Sequence, residues 1–250
     1  DTQEIMDQEI AYASAAGLDY WAFVTYAPED PMSLGLKLYL SSAHRDSIHF
    51  CLNLQGGHLA NPAGWPAMVK RFVGYFREPT YQTVLDGRPL VYLFMAESMV
   101  GSGGLASWQA ARDAMDRLRE ATAAAGIATP YLVIQDWSFS TAKKCLEQLG
   151  ADAIGAYASS GGGKHAPYAE LASHTERTWD TMRWMRQKAV PLVTTGWDRR
   201  PRVQNPVPWE VGLGGTMDEY YEAPTPQELA AHLQAGLDWV ARYPETAEAN

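Results

Sequence analysis

The chain has 250 residues, with 20 lysines and arginines against 29 acids, a formal charge of −9 and 46% apolar residues. That charge disfavours nonspecific binding to nucleic acid or to an anionic membrane, while the length suits a single α/β domain with a large buried core. Cys51 and Cys145 have neither metal-type spacing nor the density of a disulfide scaffold, so both read as buried thiols.

In chain order, hydrophobic periodicity predicts a helix over 3–16, a strand over 20–26, a helix over 32–42 and a strand over 48–54. A helix over 65–76, a strand over 89–95, a helix over 105–125 and a strand over 131–135 follow. Then come a helix over 141–149, a strand over 151–157, a helix over 174–188 and a strand over 190–195. Gly17, Gly126 and Gly150 each follow a helix and precede a strand, as a left-handed helix terminus does. A final helix opens at Thr225-Pro226-Gln227-Glu228, a capping box with proline in the first turn. The runs 21–24 and 90–94 are apolar throughout rather than alternating, which implies strands covered on both faces and therefore a parallel sheet between helices.

In barrels and in open parallel sheets alike, ligands sit beyond the carboxyl ends of the strands. The segments there, 26–30, 53–58, 96–98, 135–137, 158–165 and 196–202, are rich in polar and aromatic residues, whereas the helix-to-strand turns are small and bland. Thr194-Thr-Gly-Trp-Asp-Arg-Arg-Pro-Arg202 gathers an indole, an acid and three guanidinium groups at one strand end. Indole stacks on the C–H faces of sugar rings, and carboxylate and guanidinium bind hydroxyls. The plainer reading is a structural turn in which Asp198 pairs with a neighbouring arginine.

Glu97, Asp136 and Asp198 are the acids at strand ends, and glycosidic cleavage needs a carboxyl as proton donor and another as base or nucleophile. Each could equally be a helix cap or a salt-bridge partner. The glycine clusters at 101–104 and 161–164 lack the spacing of a phosphate loop and read as loop tips. There is no His-Glu-x-x-His, so a zinc hydrolase has little support, and no Gly-x-Ser-x-Gly, which removes the commonest route to an α/β-hydrolase nucleophile; His58 and His165 stay as candidate ligand contacts. Trp179, Met182, Trp184 and Met185 form a stripe assigned to the core. No apolar run is long enough to span a bilayer and no signal segment opens the chain, which reads as soluble. The absence of an initiating Met suggests a processed or trimmed chain, so the compartment is open, with secretion or the periplasm expected if a signal was removed.

The order of these pieces resembles the glycoside hydrolase family 99-like group, which includes the WbsX-like proteins of polysaccharide gene clusters. The resemblance rests on 8–26 with Ala-Gly-Leu-Asp-Tyr-Trp-Ala-Phe, on 76–92 with Tyr-x-x-x-x-Asp-Gly-Arg-Pro, on Gly196-Trp-Asp-Arg-Arg-Pro-Arg and on Thr225-Pro-Gln-Glu-Leu. It implies a TIM-type (β/α) barrel, an oligosaccharide or polysaccharide substrate, endo-acting mannoside cleavage, and no metal or other cofactor. Such proteins open with a strand before the helix matching 3–16 and close with a strand leading to an Asn-Glu-Trp-like segment carrying carboxylates. Neither strand is evident in this sequence, so a single barrel domain over 1–250 lacking its terminal strands is expected, with Asn53 the one match to the family's pattern after the third strand.

The reading is therefore a glycosidase with Glu97 and Asp136 as catalytic acids and with Tyr26, Asn53, Gln55, Trp137, Trp197, Asp198 and Arg202 lining a sugar cleft. The alternatives are a noncatalytic carbohydrate-binding or scaffold barrel, and an unrelated α/β enzyme holding a small anion on Arg199, Arg200 and Arg202. A carbohydrate partner is expected, without nucleic acid or membrane; the oligomeric state is open.

Overall fold

The computed structural model describes residues 2–101, 104–160, 164–208, 210–212 and 214–247, so much of both glycine clusters lies outside the described residues. The chain forms two compact units, Asp1–Ala153 and Ile154–Asn250.

In the first unit α1 (Gln3–Ala15) leads to β1 (Tyr20–Val24), and α2 (Leu34–Ser41) to β2 (His49–Gln55). A short α3 (Gly56–Leu59), then α4 (Trp65–Phe76), β3 (Thr83–Val84) and β4 (Arg88–Phe94) follow. α5 (Trp108–Ala124), β5 (Tyr131–Gln135) and α6 (Phe139–Leu149) complete the unit's elements. β1, β2, β4 and β5 are neighbours in that order, each pair parallel, as continuous apolar strands require. The helix over 65–76 and the strand over 131–135 have the expected bounds. Gly17, Gly126 and Gly150 end their helices at φ +76°, +74° and +57°, the backbone region that favours glycine. Arg119 adds a cationic cap by donating to the carbonyls of Leu149 and Gly150 at the end of α6.

Strand register sorts the side chains onto two faces. Trp21, Phe23, Phe50, Leu52 and Val91 share the face that meets the helices, where the buried Tyr39 of α2 touches the rings of Trp21, Phe23 and Phe50. Tyr20, Cys51, Asn53, Tyr92, Val133 and Gln135 share the other face. It is polar for a strand interior: the Tyr20 and Tyr92 hydroxyls bond to each other at 2.7 Å, and Asn53 Nδ2 donates to Gln135 Oε1 at 2.9 Å. Burial pushes the Tyr20 phenol up to about 12 and raises Tyr92 and the Cys51 thiol as well.

A hairpin that periodicity did not predict occupies the amino-terminal half of the sheet. β3 pairs antiparallel with β4 around Leu85, Asp86 and Gly87, all at positive φ. The segment before it wedges between β2 and β4: Phe50 N–H donates to Thr80 O, Gln82 N–H to Phe50 O, and Leu90 N–H to Gln82 O. The buried Tyr81 hydroxyl accepts from Leu52 N–H at 3.2 Å and donates to Leu90 O at 2.8 Å. Arg88 lies over the Tyr131 ring and bonds Asp152 at 2.8 Å and the carbonyls of Thr129 and Pro130. The Tyr81-to-Pro89 motif is thus a structural clamp.

The second unit holds β6 (Ala153–Gly155), which starts at the last residue of the first unit, α7 (Tyr168–Trp184), β7 (Ala189–Val190), α8 (Arg200–Gln204) and α9 (Pro226–Arg242). β6 and β7 are parallel. The strand expected over 190–195 stops at Val190, because Pro191 has no N–H to offer a ladder. Side chains take over beyond it: Leu192 O accepts from Trp179 Nε1, Thr194 O from the Tyr168 hydroxyl, and Thr194 N–H donates to His232 Nε2. α7 begins six residues before the expected 174, after Pro167, because Tyr168, Leu171 and Ala172 extend the buried face that Thr175, Trp179 and Met182 continue. Trp184 falls off that stripe and is 70% exposed, contrary to its assignment to the core. α9 has the expected capping box, with Glu228 N–H donating to the Thr225 hydroxyl and Thr225 N–H to the Glu228 carboxylate.

Candidate functional site

The outgoing ends of the first unit's parallel strands carry two cavities. One, of about 320 Å3, is lined by Met95, Glu97, Ser98, Asp136, Trp137 and Thr141. It holds the acids expected at the ends of β4 and β5, together with the indole that follows the second of them. Glu97 lies in a 3-10 turn (Ala96–Met99) entered through Met95, whose φ of 50° makes the chain turn sharply out of β4. Its carboxylate bonds Lys144 Nζ of α6 at 2.8 Å, both side chains half exposed. Asp136 accepts from Ser138 N–H at 3.0 Å, and Ser138 caps α6 by accepting from Thr141 N–H. Trp137 is half exposed and meets Phe94 edge-on at 6.0 Å. Burial, then Glu97 and Asp136, push the nearby, fully buried Cys145 thiol up to about 12.

The other cavity, of about 460 Å3, lies between the β1 end and α4 and includes Tyr26, Asp30, Gln55, His58, Asn61, Arg71 and Phe72 in its wall. Tyr26 and His58 rings pack at 5.2 Å. His58 Nδ1 is 3.2 Å from the Thr25 carbonyl, a contact in which that nitrogen must be the donor. α3 joins the two cavities: it carries His58, while its first residue, Gly56, presses against the loop after β4. A Cβ on Gly56 would stand 2.2 Å from Met95 O. Asn53 is 4% exposed, with Nδ2 on Gln135 and an Oδ1 that meets no partner among the described residues. Tyr26 and Gln55 therefore share one cavity, Glu97, Asp136 and Trp137 the other, and Asn53 lies in the strand layer.

The remaining expected residues are in the second unit. Asp198 binds the Arg200 guanidinium through both oxygens, at 3.0, 3.1 and 2.7 Å, and accepts Arg200 N–H at 2.9 Å. Those hydrogen bonds hold its carboxyl below the usual range. Arg200 stacks over Tyr220 at 3.6 Å, Arg199 pairs with Glu219 and Glu210, and Arg202 bonds Glu210 at 2.9 Å. Burial works against the Glu210 charge, but Arg202 and Arg199 outweigh it and its carboxyl stays below the usual range. Each of the three guanidinium groups is thus neutralised from within the chain, which favours the structural-turn reading of this motif and weakens the small-anion alternative. Trp197 is half-buried, and its carbonyl accepts from Tyr221 N–H.

Arg71 and Lys144 were not singled out by sequence, and Gln135 entered only as part of the strand-end segment 135–137. Arg71 and Lys144 are mid-helix cations of a type usually solvated, and Gln135 reads as an ordinary strand end. Among the described residues no group of three or more His, Cys, Asp or Glu could hold a metal ion, and no helix is long and apolar enough to cross a membrane.

No protein-family model and no curated protein matches the chain. Among solved structures it is similar to the GH99 endo-alpha-mannosidase from Bacteroides thetaiotaomicron, at 13% identity and a TM-score of 0.59, covering 95% of this chain and 64% of that one. A second structure of that mannosidase, in complex with bis-tris-propane, matches at 13% identity and a TM-score of 0.53, covering 98% of this chain and 84% of that one. The fold is that of the GH99-like group. The chain spans less than two thirds of the length of the first of these structures. A GH99-like fold accounts for the parallel strands alternating with helices, since its neighbours are TIM barrels, and so bears out the α/β class read from sequence. At this identity the GH99-like likeness concerns the fold alone.

Proposed function

We propose that the chain is a glycoside hydrolase-like barrel domain over 1–250 that acts on an oligosaccharide or polysaccharide through carboxylate acid/base chemistry. The observation that carries this reading is the cavity in which Glu97, Asp136 and the half-exposed Trp137 meet at consecutive strand ends of a GH99-like fold. A glycosidic bond held there lies between two carboxyls. One protonates the leaving oxygen; the other activates water or attacks the anomeric carbon. The indole supplies a stacking surface for the sugar ring. Tyr26, Asn53, Gln55 and Trp137 in the first unit are the proposed sugar contacts.

Endo-acting hydrolysis of α-mannan is the first activity to test, followed by a panel of neutral and acidic polysaccharides, read as reducing-end release. Asp136→Asn and Glu97→Gln should each lower turnover by about 10²- to 10⁴-fold. Asn keeps an oxygen for Ser138 N–H and Glu97 is exposed, so both variants should fold. Wild-type turnover in both removes these acids from the reaction.

A noncatalytic carbohydrate-binding domain is the second reading. It is favoured by the Lys144–Glu97 ion pair and by the capping bond of Asp136, each a structural use of the acid. Binding on the same panel with no reducing ends released selects it.

A further inference from the structure

We infer that the cavity between the β1 end and α4 is a subsite for the anionic substituent, a carboxylate or sulfate ester, of an acidic saccharide, held by Arg71 and His58. This rests on the saccharide reading above and narrows it to charged polymers.

The wall of the cavity is mostly occupied by local structure. Asp30 Oδ1 accepts Met32 N–H at 2.8 Å, Asn61 Oδ1 accepts Gly64 N–H at 3.2 Å, and Thr25 Oγ1 is directed to Asn53 O at 3.3 Å. Arg71 is the exception. Its Nε is buried and meets no hydrogen-bond partner among the described residues, and its guanidinium lies over the Phe72 ring, 5.5 Å from the centroid. A half-buried guanidinium with an unmatched N–H is costly unless something completes it, and its planar fork matches the paired oxygens of a carboxylate or sulfate. In the second unit Arg199 and Arg202 are matched by Glu210 and Glu219, whereas Arg71, on the wall of this cavity, has no acid partner among the described residues.

His58 adds a polar group to the same wall. With Nδ1 donating to the Thr25 carbonyl, Nε2 is the ring atom left for a ligand, accepting a hydroxyl proton when the ring is neutral and donating to an anion when it is charged. Tyr26, Met68 and Phe72 supply the apolar surface. A volume of about 460 Å3 falls within the range of small-molecule sites, roughly 300–1,000 Å3. Asp30 is the acid on this wall; its Oδ1 accepts Met32 N–H, and among the described residues it forms no ion pair with Arg71. α3, which carries His58, packs through Gly56 on Met95 and Ser98 of the other cavity's wall.

The test is titration calorimetry of the whole chain with trigalacturonic acid, a sulfated galactan trisaccharide and neutral mannotriose. Either acidic probe should bind at least tenfold more tightly than mannotriose, and the probe that does so identifies the anion. Arg71→Gln should abolish that preference, Arg71→Lys should keep part of it, and Ala67→Trp, which fills the cavity from an exposed position and leaves the guanidinium in place, should abolish it as well. Circular dichroism verifies that each variant is folded. Equal binding of the acidic and neutral probes, or an undiminished acidic preference in folded Arg71→Gln, overturns the subsite. Acidic preference without hydrolysis upholds the subsite and defeats the glycosidase reading; hydrolysis of neutral mannan without acidic preference does the reverse.

Discussion

Asn53 donates its side-chain amide to the Gln135 side-chain oxygen at 2.9 Å, across the strand that lies between them in the sheet. The bond ties β2 to β5 just below the residues that enter the cavities. Asn53→Ala leaves the Gln135 oxygen without its donor in a buried layer, so a loss of about 1–3 kcal/mol is expected in urea unfolding. A variant as stable as the parent places no weight on this bond.

Gly56→Ala should be among the most damaging single-methyl changes in the chain. The added carbon would stand 2.2 Å from the Met95 carbonyl oxygen, a backbone atom that cannot turn away. Overpacking of this kind costs about 1–3 kcal/mol or more, and the loops after β2 and β4 should move apart. Thermal unfolding measures the loss, and Gly57→Ala, whose Cβ would lie 3.6 Å from the nearest side chain, is the control.

Tyr81→Phe tests the clamp at the other end of the sheet. Without the hydroxyl, Leu52 N–H loses its acceptor and Leu90 O its donor, both buried. On the order of 1–3 kcal/mol is expected for each orphaned group, read as a lower urea midpoint with an unchanged slope. The saccharide binding proposed above should be unaffected, since no cavity residue is touched.

Acid should destabilise the fold through a few identifiable carboxylates. Asp7 is held below the usual range by hydrogen bonds from Ser42 and Gln3, Asp198 by Arg200, and Glu228 by the Thr225 amide and hydroxyl. A carboxyl whose folded value is depressed contributes stability that is fully present above its unfolded value, about 4, and is lost as pH falls through the folded one. The melting temperature should therefore be flat from pH 7 to about 5 and fall below about 4. Glu228→Gln should lower it at pH 7 and shallow the acid limb; an unchanged limb assigns the acid loss to other groups.

What the sequence disclosed follows from how local each signal is. Gly17, Gly126 and Gly150 end helices because their backbone angles need no tertiary partner, and Thr225 with Glu228 closes a cap within four residues. The start of α7 and the loss of β7 beyond Val190 were not legible, since they depend on Tyr168, Trp179 and His232 reaching the backbone of 192–194 from distant helices. The site divides the same way. That Glu97 and Asp136 follow strands could be read directly, and they do line one cavity. The Ser138 N–H bond to Asp136 is local, two residues away, but Lys144 and the unmatched Arg71 come from helical positions whose direction only packing decides.

The Tyr81 clamp and the Arg88 anchor brace the strands where they enter the sheet, at the end away from both hollows. Residues such as Ala67, Ser98 or Trp137 can then be exchanged for bulkier, smaller or more basic ones while the braces keep the strands aligned. A library confined to these lip positions offers a route to reshaping both hollows with few unfolded members.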